Sequence, residues 1–155
     1  MGYKVRMATI LVPLDTSKIA PKVLGEAEAL ALQLHAGVIL FHVIEPVATY
    51  VPVGAAMDLV ATAPPDLDSE TVDAAKNRLD HLAAPLRAKG LDVASEATFG
   101  IPVDEILDQA KTRAADYIIL GSHGHGALYH LFGGSVVTGV LKHSMCPVVV
   151  VPVRE

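Results

Sequence analysis

The residues best suited to chemistry form a glycine-rich motif, Gly-x2-Gly-x9-Gly-Ser, over residues 121–135. It follows an apolar run, Tyr117–Leu120, and precedes a helix-like run that begins at Val136. Glycines between a strand and a helix let backbone N–H groups approach phosphate oxygens, and the helix N-terminus favours an anion. The motif therefore indicates phosphate binding, although a glycine-bearing turn without a ligand would have a similar composition.

A second polar segment follows the first apolar run of the chain, where Pro13 and Leu14 lead into Asp15, Thr16 and Ser17. A carboxylate just past a strand can accept hydrogen bonds from ribose hydroxyls or hold a metal ion. The same residue types are also the preferred caps of a helix. Both interpretations of Asp15 are open at this point.

Histidines lie in and after the glycine motif and raise the question of a metal site: His123, His125, His130 and His143. Nothing in their spacing requires a zinc site, so solvated or phosphate-facing histidines are the preferred interpretation. The common nucleotide signatures, the P-loop and the dinucleotide fingerprint after strand one, are both absent, as is the Gly-x-Ser-x-Gly elbow of hydrolases.

The elements that must position these residues alternate along the chain. Apolar, β-branched runs predict strands over 9–12, 37–44, 116–120 and 147–151, and a weaker alternating run predicts a strand at an edge or with a wetter face over 91–98. Helical patterns lie between them over 18–35, 70–89 and 102–114, with Gly37 expected to end the first. This order predicts a three-layer α/β domain. The irregular loop at 46–68 is either a lid or a surface connection.

Composition narrows the function classes. The 155 residues predict a single domain spanning 1–155, and a net charge of −5 without a basic patch argues against nucleic acid as a partner. No apolar stretch reaches the roughly 18 residues of a membrane helix, and no secretory leader is visible, so a cytoplasmic protein is expected. The lone Cys146 fits a reducing compartment and is interpreted as a small buried hydrophobe rather than a reactive thiol.

Taken together, these residues resemble the universal stress protein family, in its ATP-binding branch. The resemblance covers essentially the whole chain. It is carried by the motif at 121–135 and by four further segments: Ile10–Ser17, Leu40–Val43, Gly100–Pro102 and Cys146–Pro152.

The resemblance implies an open five-stranded parallel sheet in the order 3-2-1-4-5, with a ligand between strands one and four. It implies ATP or another adenine nucleotide, with Mg²⁺ as a candidate bridging ion. Asp15 would contact the ribose or adenine side, Val43 would contact adenine through its backbone, and the motif would contact the phosphates. The implied binding residues are Pro13, Leu14, Asp15, Thr16, Val43, Leu120, Gly121, Ser122, His123, Gly124, His125, Gly134, Ser135 and Val136.

The chain departs from the family pattern at two places. Similar proteins commonly have basic residues where this chain has His123 and His125, which would make phosphate affinity depend on pH. They also usually have glycine where Thr16 stands. Members of the family pair their last strand with its copy in a second subunit, so the resemblance implies a homodimer through Val148–Val153; an edge protected only by its prolines is the alternative.

The preferred functional hypothesis is an ATP-binding regulatory or sensor protein of the stress response. No P-loop lysine and no evident general base are present, so hydrolysis is expected to be slow or absent. The first alternative is an enzyme that transfers phosphoryl or nucleotidyl groups from the same loop. The second is a scaffold that does not bind ATP.

Overall fold

The computed structural model describes residues 6–15, 20–46, 69–122 and 136–152, and the structural statements below concern these ranges. Strands and helices alternate along them, as predicted. The strands are β1 (Thr9–Pro13), β2 (Gly37–Ile44), β3 (Val93–Phe99), β4 (Tyr117–Gly121) and β5 (Val148–Val151), and the helices are α1 (Ala20–Leu34), α2 (Ser69–Ala88), α3 (Pro102–Thr112) and α4 (Val136–His143). Nearly all of the loop expected at 46–68 lies outside the described residues.

The described strands form one parallel sheet in the order β3-β2-β1-β4-β5, which confirms the expected fold class. The weak alternating strand is indeed at one edge and the valine-rich strand at the other. The three central strands are near-continuous apolar runs because both of their faces are covered.

Helices cover the two faces of the sheet, which makes the domain three-layered. Ile10, Val12 and Leu40 face the layer of α1 and α2, whereas Leu11 and Ile118 face the layer of α3 and α4. Since successive residues of a strand point to opposite faces, each central strand contributes to both cores. None of the described helices has the length and apolar character needed to cross a bilayer.

The end of α1 differs from the sequence-based prediction. The helix stops at Leu34, and His35 takes a left-handed conformation with φ of +50°, which lets the N–H of Ala36 bond the carbonyl of Ala31 at 3.0 Å. Gly37 was expected to end this helix and instead opens β2 opposite Thr9. At that position an added Cβ would lie 3.1 Å from the methyl carbon of Met7.

Arg87, near the end of α2, links this helix to β3. Its Nε donates to the carbonyl of Val93 at 2.9 Å and one Nη donates to the carboxylate of Asp80 at 2.9 Å. That hydrogen bond, with a smaller contribution from Ser95, lowers the pKa of Asp80 below its usual value. The helix continues through Pro85, three residues before its end, even though proline lacks the N–H of a helical bond.

α3 and α4 pack closely on the opposite face. A Cβ added at Gly139 would lie 2.7 Å from Cγ2 of Val103, nearer than real side chains approach. The glycine therefore permits the distance at which α4 packs against α3.

Candidate functional site

The strand order reverses between β1 and β4. From β1 the chain continues to β2 and β3 on one side of β1, and it then returns to form β4 on the other side. This position is the topological switch point of the sheet. Among the described residues, pairing between β1 and β4 ends at Leu11 and Ile118. Pairing of β1 with β2 continues to Pro13, and that of β4 with β5 continues to Gly121. The two central strands thus separate toward their carboxyl ends, where ligands of open α/β sheets bind.

The end of β1 forms one side of this crevice. Pro13 is the last residue in register with β2, opposite Phe41. The N–H of Leu14 donates to the carbonyl of Phe41 at 2.8 Å, and the Leu14 side chain is buried. Asp15 follows directly and is exposed, so its carboxylate is accessible from solvent at the carboxyl edge of the sheet.

The end of β2 runs beside this segment. In a parallel ladder the N–H and C=O of one residue point to the same neighbour and those of the next residue to the other. The carbonyl of Phe41 points toward β1, where it accepts from the N–H of Leu14. The carbonyl of Ile44 points toward β3, since it accepts from the N–H of Gly100 at 3.2 Å. By this alternation the main-chain groups of Val43 point to the β1 side, beyond the last register pair of those strands. Their direction fits a backbone contact to a ligand in the crevice.

His42 adds a side-chain contact that the sequence did not predict. Its Nδ1 lies 2.7 Å from the carbonyl oxygen of Leu14. A carbonyl only accepts hydrogen bonds, so Nδ1 carries the proton and donates. The sequence predicts a strand over 37–44, which contains His42, but no pattern in the chain indicated the partner of this side chain.

The end of β4 forms the opposite side of the crevice. Leu120 is buried and Gly121 pairs with Val151, and the N–H of Ser122 donates to the carbonyl of Val151 at 2.9 Å. After residues 123–135 the chain resumes at Val136, which is half-buried against the α3–α4 core. The first residues of the glycine motif are therefore bound to β5, and Val136, which follows the motif in the sequence, packs in the layer of α3 and α4.

The structure describes part of the expected binding set. Pro13, Leu14 and Asp15 flank one side of the crevice, and Leu120 to Ser122 flank the other. Val43 and Val136 lie on the neighbouring strand and at the start of α4. The remaining predicted residues lie outside the described ranges, namely Thr16, His123, Gly124, His125, Gly134 and Ser135.

A metal centre is not evident in the residues described. These ranges contain no group of three or more His, Cys, Asp or Glu side chains that could hold a metal ion. His143 donates through Nδ1 to the carbonyl of Gly139, 3.0 Å away, at the far end of α4. Cys146 is half-buried beside Ser144, whose hydroxyl donates to the Cys146 carbonyl at 2.8 Å.

The profile of the universal stress protein family matches residues 7–152, nearly the full chain. The chain belongs to the universal stress protein family. A similar curated relative is universal stress protein MJ0577 of Methanocaldococcus jannaschii, 31% identical over 150 residues that cover 92% of this chain and 93% of the relative.

Solved structures of the family share this architecture. The structure of MJ0577 superposes with a TM-score of 0.73 at 28% identity, covering 97% of this chain and 99% of the other. Universal stress protein UspA of Lactobacillus plantarum gives a TM-score of 0.70 at 27% identity, covering 96% and 99%. A universal stress protein of Archaeoglobus fulgidus solved in complex with dAMP has the same fold, with a TM-score of 0.64 at 23% identity and 94% and 98% coverage.

Proposed function

We propose that this chain is a cytoplasmic regulatory or sensor protein of the stress response that binds ATP or another adenine nucleotide, with slow or no hydrolysis. The observation that carries the proposal is the separation of β1 from β4 beyond Leu11 and Ile118. Asp15 follows one of these strands, and the glycine motif at 121–135 leaves from the other. A carboxylate suited to ribose and a loop suited to phosphates thus flank one crevice.

In the proposed complex the two sides of the crevice bind different parts of the nucleotide. The β1–β2 side, with Pro13 to Thr16 and the backbone of Val43, contacts adenine and ribose. The β4 side, with Leu120 to His125 and Gly134 to Val136, contacts the phosphates. The dAMP complex of the A. fulgidus protein shows that this fold accommodates an adenine nucleotide, which supports the proposal.

The charge of the loop accounts for the expected slow hydrolysis. Between Ser122 and Val136 the sequence contains no Lys or Arg. The phosphates would be held by backbone N–H groups and the N-terminus of α4, without the lysine that P-loop enzymes place on the β- and γ-phosphates. Mg²⁺, if present, would bridge the phosphate oxygens of the nucleotide, which are the oxygen ligands that it prefers.

Isothermal calorimetry with ATP tests the proposal. Gly124→Val blocks close backbone approach and Ser135→Ala removes a hydroxyl at the helix start, so both should weaken ATP binding while circular dichroism shows an intact fold. Gly25→Ala is a matched control, because Gly25 lies on the exposed side of α1 and an added Cβ would meet nothing within 4 Å. Unchanged affinity in both loop variants contradicts the assignment.

Two further measurements separate the alternatives. Mass spectrometry of the protein as purified should find bound ATP, ADP or AMP, and a ligand-free protein that also fails to bind ATP in calorimetry is a scaffold. A steady-state assay with ATP analogues cleaved between different phosphates distinguishes a transferase. Turnover well below about one per minute, far under the usual range of enzymes, supports a regulatory or sensor protein that binds ATP without using it as a substrate.

Binding should also depend on pH through the loop. Histidine loses its positive charge near neutral pH, so His123 and His125 would attract phosphates more strongly at low pH. ATP titrations at pH about 5.5 and about 8, on either side of the ordinary histidine pKa, should give tighter binding at the lower value. Equal affinities at both values would exclude a role for histidine charge.

The proposal includes a homodimer formed through the last strand, Val148–Val153. β5 is an edge strand in the described sheet, and Val149 is 37% exposed on it. An apolar edge of this kind is normally protected by pairing. Sedimentation of the parent protein should give twice the chain mass of 16.3 kDa. Val149→Lys should lower the measured mass, whereas Leu32→Lys, at an exposed position of α1, should leave it unchanged. A parent protein that sediments as a monomer would refute the dimer.

A further inference from the structure

His42 occupies a defined face of the sheet next to the crevice. The preceding residues of β2 at even positions, Val38 and Leu40, are buried in the core of α1 and α2 with Val12 and Leu14. His42 continues this series at the carboxyl end of the strand and is half-buried there. The ring is therefore on the same face of the sheet as the Leu14 side chain.

The hydrogen bond from His42 replaces a strand contact. Beyond Pro13 and Phe41, β1 and β2 have no further register pair among the described residues. The N–H of Leu14 still donates to the Phe41 carbonyl, and the Leu14 carbonyl accepts from Nδ1 of His42 at 2.7 Å. Leu14 is thus held to β2 at both of its peptide groups, once by the main chain and once by a side chain.

The bond orients the peptide that leads to Asp15. The carbonyl of Leu14 and the N–H of Asp15 belong to one planar peptide group, so fixing the direction of the first fixes the direction of the second. The imidazole donates through Nδ1 whether it is neutral or cationic, because protonation adds a hydrogen only at Nε2. The contact is therefore present in both charge states of His42.

We propose that His42 is a positioning residue of the nucleoside half of the crevice: by holding the Leu14 carbonyl, it sets the direction in which the chain presents Asp15 to a ribose. This inference rests on the proposed function and deepens it, since it assigns His42 to recognition of the nucleoside and not of the phosphates.

Calorimetry with adenosine, AMP and ATP tests the assignment on three variants. His42→Phe keeps an aromatic ring but has no donor, and it should weaken the binding of all three ligands by a similar factor of about ten, as expected for the loss of one hydrogen bond. His42→Asn keeps an N–H donor near the position of Nδ1 and should recover most of the affinity. His143→Phe removes a comparable Nδ1 contact with the Gly139 carbonyl and should leave all three affinities unchanged.

The outcomes are separable. If the parent protein binds none of the three ligands, the proposed function fails and the inference falls with it. If the parent binds and His42→Phe binds equally well, or loses affinity for ATP alone, only the role of His42 is overturned. Long-range ¹H–¹⁵N spectra of the parent provide a readout that does not depend on variants folding: neutral His42 should be the Nδ1–H tautomer, and an Nε2–H tautomer would contradict the contact.

Discussion

The contact between Gly139 and Val103 leads to a prediction whose sign can be worked out from the structure. Gly139 lies in α4 and Val103 in the first turn of α3. A Cβ at Gly139 would lie 2.7 Å from Cγ2 and 3.0 Å from Cγ1 of the valine. Valine is β-branched and has little χ1 freedom, so its methyl groups cannot readily move aside. Gly139→Ala therefore has to displace one of the helices.

Two opposing terms decide the magnitude. Alanine is favoured over glycine inside a helix by about 1 kcal/mol, whereas an added methyl in a packed site costs about 1–3 kcal/mol. Gly139→Ala should therefore lower the free energy of unfolding by about 0–2 kcal/mol, the sum of those two terms. In a Val103→Ala background the clash disappears, and the same substitution should raise the free energy of unfolding by about 1 kcal/mol.

Urea unfolding of the parent, both single variants and the double variant gives the coupling energy directly. We expect about 1–3 kcal/mol, the full packing term. Gly25→Ala calibrates the helix term, because an added Cβ there would meet nothing within 4 Å, and it should be stabilising by about 1 kcal/mol in either background. A coupling below about 0.5 kcal/mol, the usual limit of additivity, would refute the packing argument.

Further unfolding experiments probe other parts of the molecule. Gly100→Ala should lower the free energy of unfolding by about 1–3 kcal/mol, because Gly100 has φ of +156° and lies close to the Glu105 side chain. Adding Glu105→Ala removes the close contact but not the backbone strain, so it should restore only part of the stability. Full rescue would show that only the Glu105 side chain matters. Pro85→Ala should raise the free energy of unfolding by up to about 3 kcal/mol, because α2 would regain a backbone donor, and a loss of stability would indicate a role for the proline ring. The pKa of Asp80 is lowered by its bond from Arg87, so this contribution to stability is present above the usual value of 3.8 and is lost as pH falls through the lower folded value. Asp80→Asn should accordingly flatten the pH dependence of the free energy of unfolding below about pH 4, and an unaltered acid profile would exclude this contribution.

Much of the fold could be predicted because local and global preferences agree. β2 was expected over 37–44 and is found at Gly37–Ile44, since its apolar run is bounded on both sides by changes in composition. α3 begins at Pro102 as expected, because proline lacks only an N–H that the first helical turn leaves unpaired. The end of α1 was predicted less well. The turn at His35 depends on a left-handed conformation that glycine adopts more readily, so the sequence pointed to Gly37 instead.

The site was predictable where motifs describe it and not where it depends on tertiary contacts. Asp15 and Gly121 were placed at strand ends by the pattern of strands alone, and they lie there in the structure. The bond of His42 to Leu14 joins residues 28 positions apart, and it exists because the register of β1 and β2 brings them together. The role of Gly139 likewise depends on the distance between two helices, which no local pattern specifies.

The end of pairing between β1 and β4 has a mechanical consequence. The crevice begins beyond Leu11 and Ile118, which are both fully buried, whereas its two walls are hydrogen-bonded to different neighbouring strands. The β1 wall is anchored to β2 through Leu14, and the β4 wall to the edge strand β5 through the bond of Ser122 to Val151. A partner that binds the edge strand β5 therefore contacts the strand that holds the β4 wall. It can affect the β1 wall only through the buried pair Leu11 and Ile118.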